Sequence, residues 1–176
     1  MLVLAIDTAL AACSVGLYDP ATGRTLAERI EPMPRGHAER LAPMVDEIMR
    51  EAALPFAAID RIAVSTGPGT FTGVRIGIAF ARGLALAIDR PAIGISTLQA
   101  LAAALAGQEN VHPVAALIDA RRDAIYAQVF SPQMDPLTEP EAILLPDIAA
   151  RDALHNAIAL GSGARLVADL RDDIIV

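Results

Sequence analysis

The chain has 176 residues, enough for one ordinary domain or two small halves with a sizeable core. All 14 basic residues are arginines, which excludes chemistries that depend on lysine: a Walker-type phosphate contact, a Schiff base and a lysine general base. The 21 acidic residues give a net charge of -7 and only 3% of residues are aromatic, so unaided binding of nucleic acid is not expected.

The first half of the sequence alternates apolar runs with turn residues. The runs 1–6, 12–18 and 25–30 predict three neighbouring strands. Apolar residues then recur at three- and four-residue spacing over 41–52 and predict an amphipathic helix, which Pro43 should kink unless it lies in the first turn. The remaining elements predicted in this half are a strand at 61–65, a helix at 72–88, a strand at 92–95 and a helix at 97–106.

The second half repeats the opening pattern of the first. Both begin with an apolar strand, an aspartate, a short polar turn and a second apolar strand, which suggests an internal duplication. An offset of 112 residues pairs Ile6 with Ile118, Asp7 with Asp119, Ala12 with Ala124 and Tyr18 with Phe130. Further on, 132–146 carries four prolines and is interpreted as a loop, and 148–159 is predicted to be a helix.

A glycine-rich segment, GPGTFTG, precedes the helix predicted at 72–88. Glycines that free backbone amides at a helix start can cradle an anion, and an aspartate at a strand end can hold Mg²⁺ beside a nucleotide phosphate. The alternative is a tight strand-to-helix turn, with aspartates that cap their own turns. Both interpretations stay open, because the glycine spacing fits neither the Walker nor the dinucleotide pattern. The candidate vestigial nucleotide-site positions are Asp7, Gly67, Gly69 and Asp119.

Small residues recur every four positions along the same predicted helix: Gly73, Gly77, Ala81 and Ala85. A helical glycine costs about 1 kcal/mol relative to alanine, so two of them require a packing reason. The smooth face that they form lets another helix approach closely, either within the chain or between chains.

The sequence contains no recognisable metal centre or nucleophile. The histidines are isolated, and Leu41 stands four residues after His37. The serines lack a Gly-x-Ser-x-Gly elbow, and the single cysteine, Cys13, falls in a strand pattern. We therefore expect no catalytic residue, no metal and no cofactor. The lone cysteine and the lack of a membrane-span pattern favour the cytoplasm and no membrane anchor.

Four segments resemble the bacterial TsaB family, formerly YeaZ. They read LAIDTALAACSVGLYD at 4–19, HAERLAP at 37–43, STGPGTFTGVRIGIAFARGLA at 65–85 and IDARRDAIYAQVF at 118–130. The resemblance runs from residue 1 to about 130. The glycine-rich segment with its helix is specific to this family and to its catalytic paralogue, TsaD.

The resemblance implies an α/β fold of the actin, hexokinase and Hsp70 (ASKHA) type, duplicated into a lobe at 1–108 and a smaller, shortened lobe at 109–176. It implies a non-catalytic scaffold that supports a TsaD-type transferase in forming N6-threonylcarbamoyladenosine beside the anticodon of tRNA. The expected partners are that paralogue in a heterodimer, a TsaE-type ATPase in the larger complex, and a second copy when the paralogue is absent. Contact with tRNA is expected to be indirect. The His-x-x-x-His metal pair of TsaD is interrupted here by Leu41.

In the family, a pair of helices meets the equivalent pair of the paralogue, and this resemblance assigns an interface to the helices predicted at 41–52 and 72–88. The alternative, that both apolar stripes are core, stays open. The expected interface residues are Leu41, Met44, Val45, Ile48, Met49, Gly73, Ile76, Gly77, Phe80 and Ala81. Two other functions are weighed: an actin-fold kinase or ATPase, motivated by the aspartates and the glycine-rich segment, and a glycoprotease-type peptidase, which is disfavoured because no zinc site or nucleophile is present.

Overall fold

A computed structural model describes residues 1–109 and 111–176 of the chain. The chain forms two compact units, Met1–Ser96 and Thr97–Val176. The division differs from the lobe boundary that we drew at 108/109, because the helix that begins at Thr97 belongs to the second unit.

The first unit contains a five-stranded mixed sheet and two long helices. Its elements are β1 (Val3–Asp7), β2 (Ala12–Asp19), β3 (Arg24–Pro32), α1 (His37–Glu51), β4 (Arg61–Ser65), α2 (Phe71–Ile88) and β5 (Ala92–Ile95). The strand order is β3-β2-β1-β4-β5, with the first three antiparallel and β4 and β5 parallel to β1. The strands and helices predicted in this half are confirmed, with two differences in their bounds. The first helix, α1, begins at His37 rather than at residue 41, and the helix predicted at 97–106 is α-helical only over Thr97–Ala102 and continues as a 3₁₀ turn over Ala103–Leu105.

One face of α1 packs into the core of the first unit. Its apolar stripe is at most 2% exposed and consists of Leu41, Met44, Val45, Ile48 and Met49. The stripe belongs to the same cluster as the alternate residues of the sheet, among them Leu4 and Leu17. Pro43 lies inside the helix on its exposed side, where water can bond the carbonyl that lacks a helical partner.

The polar side of α1 is tied to β3 by Arg40. Its Nη2 donates to Glu31 Oε1 at 2.5 Å and its Nη1 donates to Glu47 Oε1 at 2.7 Å. These hydrogen bonds hold the pKa of both carboxyls below their usual range. The arginine therefore fixes the helix against the outermost strand of the sheet.

The single cysteine, Cys13, is a free thiol in β2 and is fully buried. Burial raises the pKa of this thiol, with a further contribution from the negative charge of Glu31. The thiol is therefore a small apolar member of the core rather than a nucleophile.

The second unit repeats the strand order with shorter helices. Its elements are α3 (Thr97–Ala102), β6 (Val114–Arg121), β7 (Ala124–Phe130), β8 (Glu141–Leu144), β9 (Ile158–Leu160) and α4 (Ala164–Ala168), with 3₁₀ turns at Ala103–Leu105, Leu145–Ala150 and Asp152–Leu154. The sheet order is β8-β7-β6-β9, and Ile175 forms a parallel bridge to Ile158 on the far side of β9. Three antiparallel strands followed by a parallel one reproduce the order of the first unit.

Two predictions for the second half are wrong. The segment 132–146, interpreted as a loop, contains β8. The helix predicted at 148–159 is absent, since this segment ends one 3₁₀ turn, forms a second and then becomes β9. The extended backbone of Arg151 (φ -94°, ψ 92°) and the left-handed backbone of Asn156 (φ 52°) interrupt a helix at these points.

Arg171 holds the C-terminal segment against these turns. Its Nη1 donates to the carbonyl oxygens of Ile148 at 3.0 Å and Arg151 at 2.9 Å, while its Nε and Nη2 bind the carboxylate of Asp173. The ring Nδ1 of His155 lies 2.8 Å from the same carboxylate. Arg171 first, and then His155, lower the pKa of Asp173 well below its usual range.

The lowered pKa of Asp173 predicts that the stability of the second unit falls at acidic pH. A carboxyl whose pKa is depressed by folding contributes stability above its unfolded pKa, about 3.9, and the contribution is lost as the pH falls below that value. We expect Asp173→Asn to lower stability at neutral pH and to flatten the loss of stability between about pH 4 and pH 2. Circular dichroism during acid titration measures the stability at neutral pH and its loss at low pH. The control is Asp172→Asn, since Asp172 is the exposed neighbour of Asp173. A variant that follows the wild-type acid curve would contradict this assignment.

Candidate functional site

The turn between β1 and β2 packs directly against the glycine-rich segment. The Thr70 amide donates to the Ala9 carbonyl oxygen at 2.7 Å, and Thr8 Oγ1 donates to the Gly73 carbonyl oxygen at 2.7 Å. A Cβ atom at Gly69 would overlap Ala9, and one at Gly73 would overlap the Thr8 carbonyl. The glycines are thus used for close packing inside the chain, which favours the tight-turn interpretation over an anion cradle.

The start of α2 is also capped by its own chain. Thr70 Oγ1 accepts a hydrogen bond from the Gly73 amide at 3.2 Å. Gly67 has a φ of 98°, a left-handed conformation that the turn requires. Together, the cap and the turn explain the conformation of this segment without a bound ligand.

The two aspartates cap the turns that follow their strands. Asp7 Oδ1 accepts from the Ala9 amide at 2.8 Å and from Ser65 Oγ at 2.7 Å. Asp119 Oδ1 accepts from the Arg121 amide at 2.7 Å, and its Oδ2 lies 3.3 Å from Arg121 Nη1. Each carboxylate is therefore held by its own turn, as in an Asx turn.

The structure also shows that the two aspartates are not equivalent in the duplication. The matching core-facing pairs are Leu4 with Leu17 in the first unit and Ala115 with Val129 in the second. A residue of β2 therefore corresponds to the residue of β7 that stands 112 positions later, as predicted. A residue of β1, in contrast, corresponds to the residue of β6 that stands 111 positions later. Asp7 corresponds to Ile118, and Asp119 corresponds to Thr8. The pairing of Asp7 with Asp119 was wrong because a bulge between Asp119 and Arg121 adds one residue to the second hairpin.

Residues that could ligate a metal are dispersed. Within residues 1–109 and 111–176, no group of three or more His, Cys, Asp or Glu side chains is placed to hold a metal ion. His37 is buried at the first position of α1, and Leu41, one turn later, lies in the core. Four residues after His37 the chain thus carries an apolar core residue and not a second histidine.

Most of the expected interface residues are buried inside the first unit. The five on α1 form its core stripe, and Gly73, Gly77 and Ala81 are buried on the sheet side of α2. A Cβ atom at Gly77 would lie 2.6 Å from Thr8 Oγ1 and 3.3 Å from Val64 Cγ2. In the isolated chain these eight residues face inward, because the small-residue face lets α2 approach its own sheet, and their placement at a partner surface stays a prediction. Ile76 and Phe80 are partly buried against the same core.

The opposite face of α2 was not singled out by the sequence analysis. Only 22% of the residues of this helix are buried, although its mean hydropathy is 1.5. Phe71 is 70% exposed and Leu86 is 85% exposed, at opposite ends of the helix. The Arg75 guanidinium lies over the Phe71 ring, 3.5 Å from its centroid. The exposed apolar residues of α2 could have been predicted from the sequence. The helix carries apolar residues all around its circumference, and a helix that rests on a sheet buries only one side.

By length and composition, α2 would also be able to cross a membrane, and it is the one helix in the described part of the chain with this property. Helices that pack on the sheet of a water-soluble protein pass the same test. Here α2 packs on β4 and carries Arg75 and Arg82 among its exposed residues.

The repeated topology defines the class of protein. Two units with three antiparallel strands, a parallel fourth strand and helical segments after the third and fourth strands form the duplicated ASKHA fold predicted from the resemblance. The family model described as "TsaD: tRNA N6-adenosine threonylcarbamoyltransferase" matches residues 27–161.

Individual relatives agree with this class. The chain is 40% identical to the "tRNA threonylcarbamoyladenosine biosynthesis protein TsaB" of Escherichia coli over 151 residues, which are 84% of the chain and 64% of that protein. It is 40% identical over 124 residues to the protein of the same name from Haemophilus influenzae, covering 70% of the chain and 51% of that protein. The solved structure of YeaZ from Pseudomonas aeruginosa superposes with a TM-score of 0.79 at 36% identity, covering 95% of the chain and 78% of YeaZ.

The chain belongs to the TsaB (YeaZ) family. It spans about half to two thirds of the length of the two curated relatives described above.

Proposed function

We propose that the chain is a non-catalytic subunit that binds and supports a TsaD-type threonylcarbamoyltransferase, and so contributes to forming N6-threonylcarbamoyladenosine on tRNA. The names of its E. coli and H. influenzae relatives support a role in this modification. A supporting role is favoured because Asp7, Asp119 and the glycine-rich turn bind their own backbone and neighbours. The proposal includes a cytoplasmic location.

The observation that carries the partner proposal is the exposed side of α2, where two large apolar side chains lie among polar ones such as Arg75 and Arg82. Leu86 and Phe71 are large apolar side chains that are mostly exposed, with Ala79 and Ala87 exposed on the same helix. Apolar surface of this kind gains free energy when a second protein covers it. We therefore assign the partner-binding surface to the outer face of α2, in place of the buried residues expected from the resemblance.

This assignment predicts that Leu86→Glu weakens the complex with a TsaD-type paralogue at least tenfold, or about 1.4 kcal/mol, because a charge would be buried where Leu86 was. Folding should be unaffected, since the side chain is exposed. Isothermal titration of the paralogue into the chain measures the affinity, and circular dichroism checks the fold.

The matched control is Leu137→Glu. Leu137 is also an exposed leucine, 58% exposed, but belongs to the second unit and not to α2. The control should bind the paralogue as the wild type does. Equal affinity of the Leu86 variant and the control would reject the outer face of α2 as the binding surface.

The remaining partners follow from the same proposal. A second copy of the chain uses the α2 surface when the paralogue is absent, so Leu86→Glu should shift a dimer to a monomer in sedimentation velocity. A TsaE-type ATPase joins through the larger complex. Binding of tRNA is indirect, because the net charge of -7 repels the phosphate backbone.

The alternative function is an actin-fold kinase or ATPase, and it makes a different prediction. We expect isothermal titration of the chain with ATP and Mg²⁺ to show no saturable binding. The first cationic side chain after the glycine-rich turn, Arg75, stacks on Phe71, and the carboxylates of Asp7 and Asp119 already cap turns. Tight, magnesium-dependent binding by the isolated chain would favour the enzyme instead.

A further inference from the structure

The outer face of α2 carries arginines and no carboxylate. Exposed residues at three- and four-residue spacing lie along this side of the helix: Phe71, Arg75, Ala79, Arg82 and Leu86. Each large apolar side chain has an arginine one turn away, and the helix contains no aspartate or glutamate. At 1.5 Å per residue, the two arginines are about 10 Å apart along the helix axis and the two apolar side chains about 22 Å apart.

Neither of these arginines is paired with a carboxylate of its own chain. Within residues 1–109 and 111–176, Arg82 makes no hydrogen bond or ion pair, and Arg75 contacts only the ring of Phe71. Other arginines of the first unit are paired, since Arg40 and Arg50 each lie within ion-pair distance of an acidic side chain. The chain thus leaves two positive charges on an exposed helix available to a partner, although acidic residues outnumber arginines in the sequence.

The middle of the outer face is formed by small residues. Ala79 lies between the two arginines, and a Cβ atom at the neighbouring exposed position, Gly83, would have no atom within 4 Å. Packing inside the chain therefore does not require this glycine, although a glycine in a helix costs about 1 kcal/mol relative to alanine. Small side chains at this point let the backbone of a partner helix come close to α2.

The charge of the outer face distinguishes between two occupants. A second copy of the chain would place the arginines of two α2 helices at one contact, with no carboxylate from either helix. Like charges that meet at an interface oppose association, whereas opposite charges favour it. The outer face therefore fits an acidic partner surface better than it fits itself.

We propose that the outer face of α2 selects a partner helix that carries two carboxylates about two helical turns apart, or about 10 Å, between apolar side chains. One carboxylate pairs with Arg75 and the other with Arg82, while Phe71 and Leu86 contact the apolar side chains at the two ends. This inference rests on the proposed function and names the chemistry that the TsaD-type paralogue presents to this face. A second copy of the chain is the weaker occupant.

The test is the rate at which Arg82→Glu associates with the paralogue, measured by stopped flow. At about 50 mM salt we expect an association rate constant at least tenfold below that of the wild type, because the new carboxylate repels the acidic partner. The matched control is Arg24→Glu, since Arg24 is an exposed arginine of β3 that forms no ion pair within the described residues. The control has the same net charge as the variant and should associate within about twofold of the wild-type rate.

Salt provides a second measurement that needs no variant. Between about 50 and 500 mM salt, the wild-type complex with the paralogue should weaken at least fivefold, because salt screens attraction between opposite charges. Self-association of the chain, followed by sedimentation velocity, should strengthen over the same range, because salt also screens the repulsion between arginines. Self-association that weakens in parallel with the paralogue complex would contradict the proposed order of occupants.

The outcomes separate this inference from the proposed function. Equal association rates for Arg82→Glu and Arg24→Glu, together with weak binding by Leu86→Glu, would overturn the acidic partner helix and leave the proposed function standing. A wild-type chain that does not bind the paralogue would overturn the proposed function itself. Vesicles of equal parts phosphatidylserine and phosphatidylcholine test an anionic lipid surface as the occupant, and retention of the wild type and of Arg24→Glu but not of Arg82→Glu would overturn the partner helix in favour of lipid.

Discussion

Replacing Gly73 by alanine is expected to destabilise the first unit by about 2–4 kcal/mol. The new Cβ would overlap the Thr8 carbonyl and lie 2.5 Å from Thr70 Oγ1, the group that caps α2. Neither neighbour is the far end of a flexible side chain, so the helix start or the β1–β2 turn must shift. Urea titration followed by amide hydrogen exchange, resolved for each unit, measures the loss.

A second glycine of α2 provides a control for which the expected change in stability has the opposite sign. Gly83 also lies inside α2, but a Cβ there would have no atom within 4 Å. Gly83→Ala should therefore stabilise the helix by about 1 kcal/mol, which is the helix propensity difference alone. If both variants changed stability equally, close packing at Gly73 would not be the reason for its glycine.

Replacing Met44 by glutamate is expected to unfold the first unit. Met44 has no exposed surface, and the structure gives a new carboxylate there no partner among the apolar residues of the core. Burying an unpaired charge or polar group is one of the few changes that costs more than about 4 kcal/mol. Loss of the far-ultraviolet circular dichroism signal and of protected amides in residues 1–96 measures the effect.

Ala42→Glu is the matched variant, because Ala42 lies on the exposed side of the same helix. It should change stability by no more than about 0.5 kcal/mol. A Met44→Glu variant that folds normally but loses its partner would show instead that the α1 stripe is an interface, as the resemblance first implied. The pair of variants thus decides between core and interface at the level of single side chains.

The sequence was sufficient to predict the elements of the first unit because their patterns are strong. The period of the apolar residues located α1 and α2, and the short apolar runs located β1, β2 and β4. The second unit was harder, since its helical links are 3₁₀ turns of six and three residues, too short to show a helical period. β8, with four residues beside a proline-rich stretch, gave no signal above that of a loop.

The candidate site was predicted less well, and for a different reason. An apolar stripe indicates that a helix face is buried, but it does not indicate whether the chain itself or a partner covers it. The stripe of Leu41, Met44 and Ile48 is covered by the sheet of its own unit. The pairing of Asp7 with Asp119 failed because one bulged residue changes which face of a strand each later residue occupies.

Cys13 gives the first unit a built-in reporter of its own opening. The protonated thiol is shielded in the folded state, so a thiol-specific reagent can modify it only in molecules whose first unit has transiently opened. Because the sequence contains a single cysteine, the rate of modification under native conditions gives the free energy of that opening without a denaturant or an added label. The second unit contains no thiol, so this measurement reports the opening of the first unit alone.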